Sequence, residues 1–213
     1  MDLTLYFITD STGFSDEEFF GRVEEAVHAG VSMVQLREKN ISTRKYYEKA
    51  LKLKRICSES GVPLIINDRL DIALAVNADG VHLGTDDMPI RTAREILGDG
   101  KIIGATAKTV ARAASAQMDG ADYFGIGAFF ATDTKPDALV LTPGEVLAVT
   151  DSVKIPAVAI GGLNSENIPI IGDCGVRGAA VSNVIMRSDN ITLEVWRLKR
   201  EIARTLNIGQ NKI

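Results

Sequence analysis

LIINDRLDIALAVNADGVHLGTDDM, residues 64–88, places a strand, a helix and a second strand almost back to back. Leu64 to Asn67 is an apolar run closed by an amide, and Gly80 to Leu83 is a second short apolar run. Both read as short strands, with a short helix from Arg69 to Val76 between them. A strand–helix–strand crossover makes the two strands parallel. Their C-terminal ends then lie on one side, so Asp68 and the turn Gly84-Thr85-Asp86-Asp87 converge. A hard cation such as Mg2+ is held by one or two carboxylates, with waters and substrate phosphates completing its shell. Asp68 and Asp87 fit that role. Each acid alone has a simpler reading, Asp68 as the cap of the next helix and Asp86 and Asp87 as turn residues before Pro89; the convergent pair favours a metal site.

The same rhythm extends outward in both directions. Upstream, a strand Leu3 to Thr9 and a polar loop lead to Ser15, which with Glu18 makes a capping box for a helix Asp16 to Ala29 that Gly30 closes. A strand Ser32 to Arg37 follows, then a helix Thr43 to Ser60 whose Tyr46, Ala50, Leu53 and Cys57 share one face. Downstream come a helix from Pro89 to Leu97, a strand Lys101 to Ala105, a helix Thr109 to Asp119 and a strand Asp122 to Ile126. A long loop, Gly127 to Leu141, precedes a helix begun by Pro143 and ending at Val149. Strand Ala157 to Ile160, helix Ser165 to Gly172, strand Gly178 to Ser182 and helix Leu193 to Leu206 complete the chain. Eight strands alternating with helices predict an α/β fold, a single-domain (β/α)8 TIM barrel over residues 1–213, with its active site at the strand C-termini. A doubly wound open sheet uses fewer strands and a G-x-G-x-x-G first turn, whereas the first strand here ends in Thr9-Asp10-Ser11-Thr12.

Composition narrows the partners. With 46% apolar and 24% charged residues the chain is an ordinary globular one, and its net charge of −4 argues against a broad cationic face for nucleic acid. The N-terminus has no basic region and no apolar run long enough for a signal or a membrane span, so no membrane partner and a cytoplasmic location are expected. Cys57 and Cys174 lack metal-ligand spacing and read as buried thiols. His28 and His82 read as structural residues satisfied locally. The sequence is compatible with a homo-oligomer and does not specify one.

The strand ends carry the chemistry. After the second strand, alternation sends Gln35, Arg37 and Lys39 to one side of Gln35-Leu36-Arg37-Glu38-Lys39, toward the barrel mouth unless the group is simply a solvated charge cluster. Asn67, Asp68 and Asp87 come from strands three and four, Thr106 from strand five, and Thr132, Thr134 and Lys135 from the loop GAFFATDTKPD. Strands seven and eight end AIGG and GAAVSN, and the loops in these places of a barrel commonly bind phosphate. Gly161 and Gly162 would let backbone approach such an anion, or serve only a tight turn. The mouth thus reads as two anion sites, one for a diphosphate with metal, Arg37, Lys39 and Lys135, the other for a monophosphate near Gly162.

The motifs QLREK (35–39), IINDRLDIALAVNADGVHLGTDDMP (65–89), GADYFGIG (120–127), TDTK (132–135) and AVAIGG (157–162) together closely resemble the thiamine-phosphate synthase family over nearly the whole chain. The resemblance implies a (β/α)8 transferase that joins 4-amino-2-methyl-5-hydroxymethylpyrimidine diphosphate to 4-methyl-5-(2-phosphoethyl)thiazole, releasing diphosphate with the help of Mg2+. It implies Asp68 and Asp87 as metal ligands, Arg37, Lys39, Asn67 and Lys135 on the diphosphate, and Gln35 facing the pyrimidine. Arg37, Lys39 and Lys135 would carry the catalysis. Thr132, Thr134, Gly162 and the backbone near Asn183 would hold the thiazole phosphate.

Several positions depart from the family pattern. Thr106 and Lys108 stand where G-x-S-x-H is common, Thr106 keeping a hydroxyl for phosphate; Ala128 and Ala131 replace prolines; Asn183 aligns with a common serine. The nearest rival is a thiazole tautomerase-like paralogue, expected to lack the metal acids and to carry a histidine near Ala128. A non-catalytic phosphate-ligand sensor on the same fold is the rival from another class.

Overall fold

In a computed structural model, which describes residues 1–131 and 139–208, eight parallel strands close on themselves in chain order. They are β1 (Leu5–Ile8), β2 (Met33–Leu36), β3 (Leu64–Asn67), β4 (Gly80–Leu83), β5 (Ile102–Thr106), β6 (Tyr123–Ile126), β7 (Ala157–Ile160) and β8 (Ala179–Val181). Every strand pairs with the next, and β8 pairs with β1 through Tyr6–Ala180 and its neighbours, so no sheet edge is left. The helices are α1 (Asp16–Ala29), α2 (Thr43–Glu59), α3 (Leu70–Ala75), α4 (Ile90–Leu97), α5 (Val110–Met118), α6 (Pro143–Thr150), α7 (Asn183–Met186) and α8 (Ile191–Thr205).

Strand alternation divides the core in two. Tyr6, Ile8, Met33, Ile65, Tyr123, Val158 and Ala180 fall in a cluster without helix residues, the barrel interior. Their neighbours Leu5, Phe7, Val34, Leu36, Leu64, Ile66 and Phe124 pack with Phe19, Tyr46, Leu53, Val146 and Leu198 in the layer beneath the helices. Both faces of each strand are therefore covered, which is why short runs such as LIIN read as unbroken apolar stretches rather than as an alternating pattern. The bulky interior side chains need small partners: a Cβ on Gly104 would collide with the Tyr123 ring and come within 2.6 Å of His82 Nδ1.

The punctuation acts as its residue types dictate. Ser15 and Glu18 form the reciprocal capping box of α1, Gly30 ends that helix at φ 101°, and Thr142 with Glu145 caps α6. The helix expected over Ser165–Gly172 is reduced to a single 3-10 turn, Ile168–Ile171. Asn164 Oδ1 accepts from the N–H groups of Glu166 and Asn167, Asn167 Oδ1 accepts from Asn164, and Pro169 has no N–H to give. A short α7 follows β8 where the sequence offered too few residues to show a period, and α8 starts two positions early because Asn190 accepts from Leu193. Among the described residues no helix is long and apolar enough to cross a membrane.

Candidate active site

At the C-terminal mouth a cavity of about 860 Å3 is lined by Gln35, Arg37, Lys39, Asn67, Asp68, Asp87, Thr106, Gly162 and Asn183, the expected site residues that fall in the described part of the chain. Thr132, Thr134 and Lys135 lie outside the described residues. The alternation in QLREK holds. Arg37 and Lys39 face the mouth, while Glu38 turns beneath the helices to accept from Ser11 at 2.8 Å and Lys49 at 3.3 Å.

The acids from β3 and β4 meet as the crossover requires. Asp68 sits at φ 62°, a left-handed conformation uncommon for a residue with a Cβ, and its N–H donates to His82 O at 2.9 Å. It does not cap the next helix: the residue before α3 is Arg69, and no side chain caps that helix. Its carboxylate instead accepts from Lys39 Nζ at 2.6 Å and lies against the Asp87 carboxyl. Asp87 does serve its turn, accepting from Gly84 N–H at 2.6 Å, while also facing Asp68. One side chain thus both closes the turn and meets the acid from β3.

The contact divides the two acids. Burial works against ionisation of Asp68 most strongly, but hydrogen bonds from Lys39 and from the Asp87 carboxyl outweigh it and leave Asp68 below the ordinary carboxylate range. Asp87 is pushed up, first by burial and then, against the Gly84 N–H, by its hydrogen bond to Asp68 and that residue's charge. Two carboxylates in contact oppose each other's charge, and a cation between them would relieve that opposition. Among the described residues no group of three or more His, Cys, Asp or Glu could hold a metal. A cation between Asp68 and Asp87 would draw its other ligands from water and substrate, the habit of Mg2+.

Below the acids a file of polar side chains crosses the barrel. Gln35 Nε2 donates to Tyr6 Oη at 2.6 Å, Tyr6 Oη is 2.8 Å from Tyr123 Oη, and His82 lies 3.1 Å from both Tyr123 Oη and Thr106 Oγ1. Sequence reading gave His82 a structural role and did not single out Tyr6. Both line the cavity, and the signal in the sequence was their parity with Gln35 and Asn67 along the strands. Lys108 also lines the cavity, together with Arg112 from the first turn of α5, which had not been singled out.

Across the mouth, Gly161 and Gly162 take φ 104° and 66°, and a Cβ on Gly162 would sit 2.6 Å from Phe130 Cβ. The close packing of this turn against Ala128 and Phe130 thus requires glycine at both positions. Asn183 Oδ1 is buried without a hydrogen-bond partner among the described residues. Ser182, immediately after β8, also lines the cavity, so a serine hydroxyl is present one position before the residue that had been aligned with the family serine.

The sequence model of a family described as thiamine monophosphate synthase matches residues 5–185. A thiamine-phosphate synthase of Methanobrevibacter smithii is 45% identical over 94% of this chain and 96% of its own length. One of Fusobacterium nucleatum is 49% identical over 88% and 92%. A solved thiamine phosphate pyrophosphorylase from Pyrococcus furiosus superposes with a TM-score of 0.87 at 38% identity, covering 96% of this chain and 97% of its own. A 3-hexulose-6-phosphate synthase superposes at 0.72 with 16% identity and shares the barrel alone. A closed eight-stranded barrel, acids meeting at the ends of β3 and β4, and matches along nearly the whole length place this chain in the thiamine monophosphate synthase family.

Proposed function

We propose that the chain is a thiamine-phosphate synthase that couples 4-amino-2-methyl-5-hydroxymethylpyrimidine diphosphate with 4-methyl-5-(2-phosphoethyl)thiazole to give thiamine phosphate and diphosphate. The observation that carries this reading is the carboxyl pair Asp68–Asp87 beside Lys39 and Arg37 in one cavity with the glycine-lined wall at Gly162. The pair suits Mg2+, which when bound would supply positive charge to the departing diphosphate.

Arg37, Lys39 and Asn67 line the cavity and would hold the diphosphate, with Lys135 assigned to the same group by family resemblance. Their charge is worth most as the C–O bond breaks and its electron pair leaves with the diphosphate oxygen. The pyrimidine ring stabilises the methylene cation, and the thiazole nitrogen gives its lone pair to form the C–N bond. No proton has to move for this balance, so the site needs held cations rather than a general base. Gly162 and the Ser182–Asn183 turn, with Thr132 and Thr134 by resemblance, would hold the thiazole phosphate and set the nitrogen near the carbon. Ile8, Val158 and Ile160 line the cavity and keep water from a reactive carbon.

A thiazole tautomerase would be expected to carry a histidine in the loop after β6 as its acid or base, and Ala128 stands in that place here. A steady-state assay with both substrates and Mg2+ tests the proposal: release of diphosphate with formation of thiamine phosphate is expected. Binding of both substrates without turnover would mark a sensor instead. Asp87→Ala should abolish turnover and cost only about 1 kcal/mol of stability for the lost Gly84 hydrogen bond.

A further inference from the structure

The file of side chains beneath the site has a direction. An amide N–H of Gln35 can only donate, so Tyr6 accepts there, and of the two directions open to the Tyr6–Tyr123 contact the one in which Tyr6 donates leaves neither phenol hydrogen without an acceptor in the file. Tyr123, having accepted, gives its hydrogen to His82 Nδ1. An imidazole that accepts at Nδ1 carries its hydrogen on Nε2 and donates it to Thr106 Oγ1. Thr106 is then left with a hydroxyl hydrogen for the cavity it lines. Burial, ahead of every other influence, holds both phenols in the protonated form, so the chain keeps its hydrogens. Gly104 provides the space in which Tyr123 and His82 meet.

We propose that Tyr123 is a positioning residue for the reaction: acting through Tyr6 and His82, it fixes the polarity of the chain so that Gln35 offers its amide oxygen and Thr106 its hydroxyl hydrogen to the ligand. Tyr123 is fully buried and is not among the residues lining the cavity, so it acts only through its neighbours. The inference rests on the cavity's reading as a site for an aminopyrimidine diphosphate. That ligand asks for an acceptor at its exocyclic amino group and a donor at its phosphate oxygens. The opposite polarity would set an amide NH2 against the amino group and a hydroxyl lone pair against the anion, two mismatches at once.

The tautomer of His82 reports the direction without reference to turnover. In full-length protein labelled with 15N-histidine, at a pH where imidazole is neutral, His82 is expected as the Nε2–H form, with exposed His28 as the internal reference. Gln35→Glu replaces the donor by a carboxylate that can only accept, takes the Tyr6 hydrogen, and should invert His82 to Nδ1–H. Tyr123→Phe should erase the tautomer preference and weaken binding of inorganic diphosphate with Mg2+ by about tenfold, the worth of a hydrogen bond to a charged group. Thr106→Val should weaken it equally while leaving the tautomer unchanged, and the double variant should bind no worse than either single one. An Nδ1–H form in the parent protein, or a Gln35→Glu signal that does not move, overturns the proposal even if Tyr123→Phe fails to fold. The expected tautomer and its inversion, found in a protein that does not couple the two substrates, would sink the coupling reading and leave the chain's polarity standing.

Discussion

Asp68→Asn separates what this residue does for the fold from what it does for the reaction. The change keeps the shape of the side chain, and asparagine tolerates the left-handed φ of 62° as well as aspartate does. It removes an ion pair with Lys39 whose side chains are 53% and 24% exposed, a pair worth about 0–1 kcal/mol after screening. It also removes the carboxyl–carboxyl contact with Asp87, which works in the opposite direction. The expected stability change is within about 1 kcal/mol, or roughly 2–4 °C in Tm for a chain of this size. Activity should respond far more. Losing one charge-stabilising group at a departing anion costs about 10²–10³ in kcat, measured as diphosphate release with both substrates and saturating Mg2+. Turnover within about threefold of the parent would refute Asp68 as a metal ligand. A stability loss beyond about 3 kcal/mol, far outside the range for an exposed pair, would show that its place in the fold had been misjudged.

Other expectations bear on the scaffold. Ser15→Ala removes the hydroxyl that accepts from Glu18 N–H and donates to the Glu18 carboxylate, leaves the bond from the backbone N–H of residue 15 to that carboxylate, and should lower stability by about 1 kcal/mol in urea unfolding, with activity unchanged because Ser15 does not line the cavity. Gly104→Ala drives a methyl into the Tyr123 ring and toward His82, and should cost about 1–3 kcal/mol in thermal unfolding with loss of substrate binding. Burial first, then the charge of Asp79 and against that of Lys54, pushes the Cys57 thiol up to about 12. Native protein at pH 8 should therefore resist alkylation at Cys57, and rapid labelling before unfolding would contradict its buried placement.

Much of the architecture is local and therefore legible in the sequence. Capping boxes at Ser15 and Thr142, glycine at position 30 and short apolar runs act within a few residues, so helix starts and strand positions follow from the chain read in order. The convergence of Asp68 and Asp87 was legible for the same reason: a single short crossover, running α3 between β3 and β4, leaves the two strands no other relative direction. Tertiary structure alone decided what those acids do once they meet. Nothing in the letters distinguishes an aspartate that caps a helix from one held at φ 62° against Lys39 and a second carboxyl. Nor could spacing reveal the file from Gln35 to Thr106, in which Tyr6 and Tyr123 touch across a separation of 117 residues. Those contacts exist because closure of the barrel turns alternate side chains of every strand toward one axis, bringing together residues whose only shared property in the sequence is their parity.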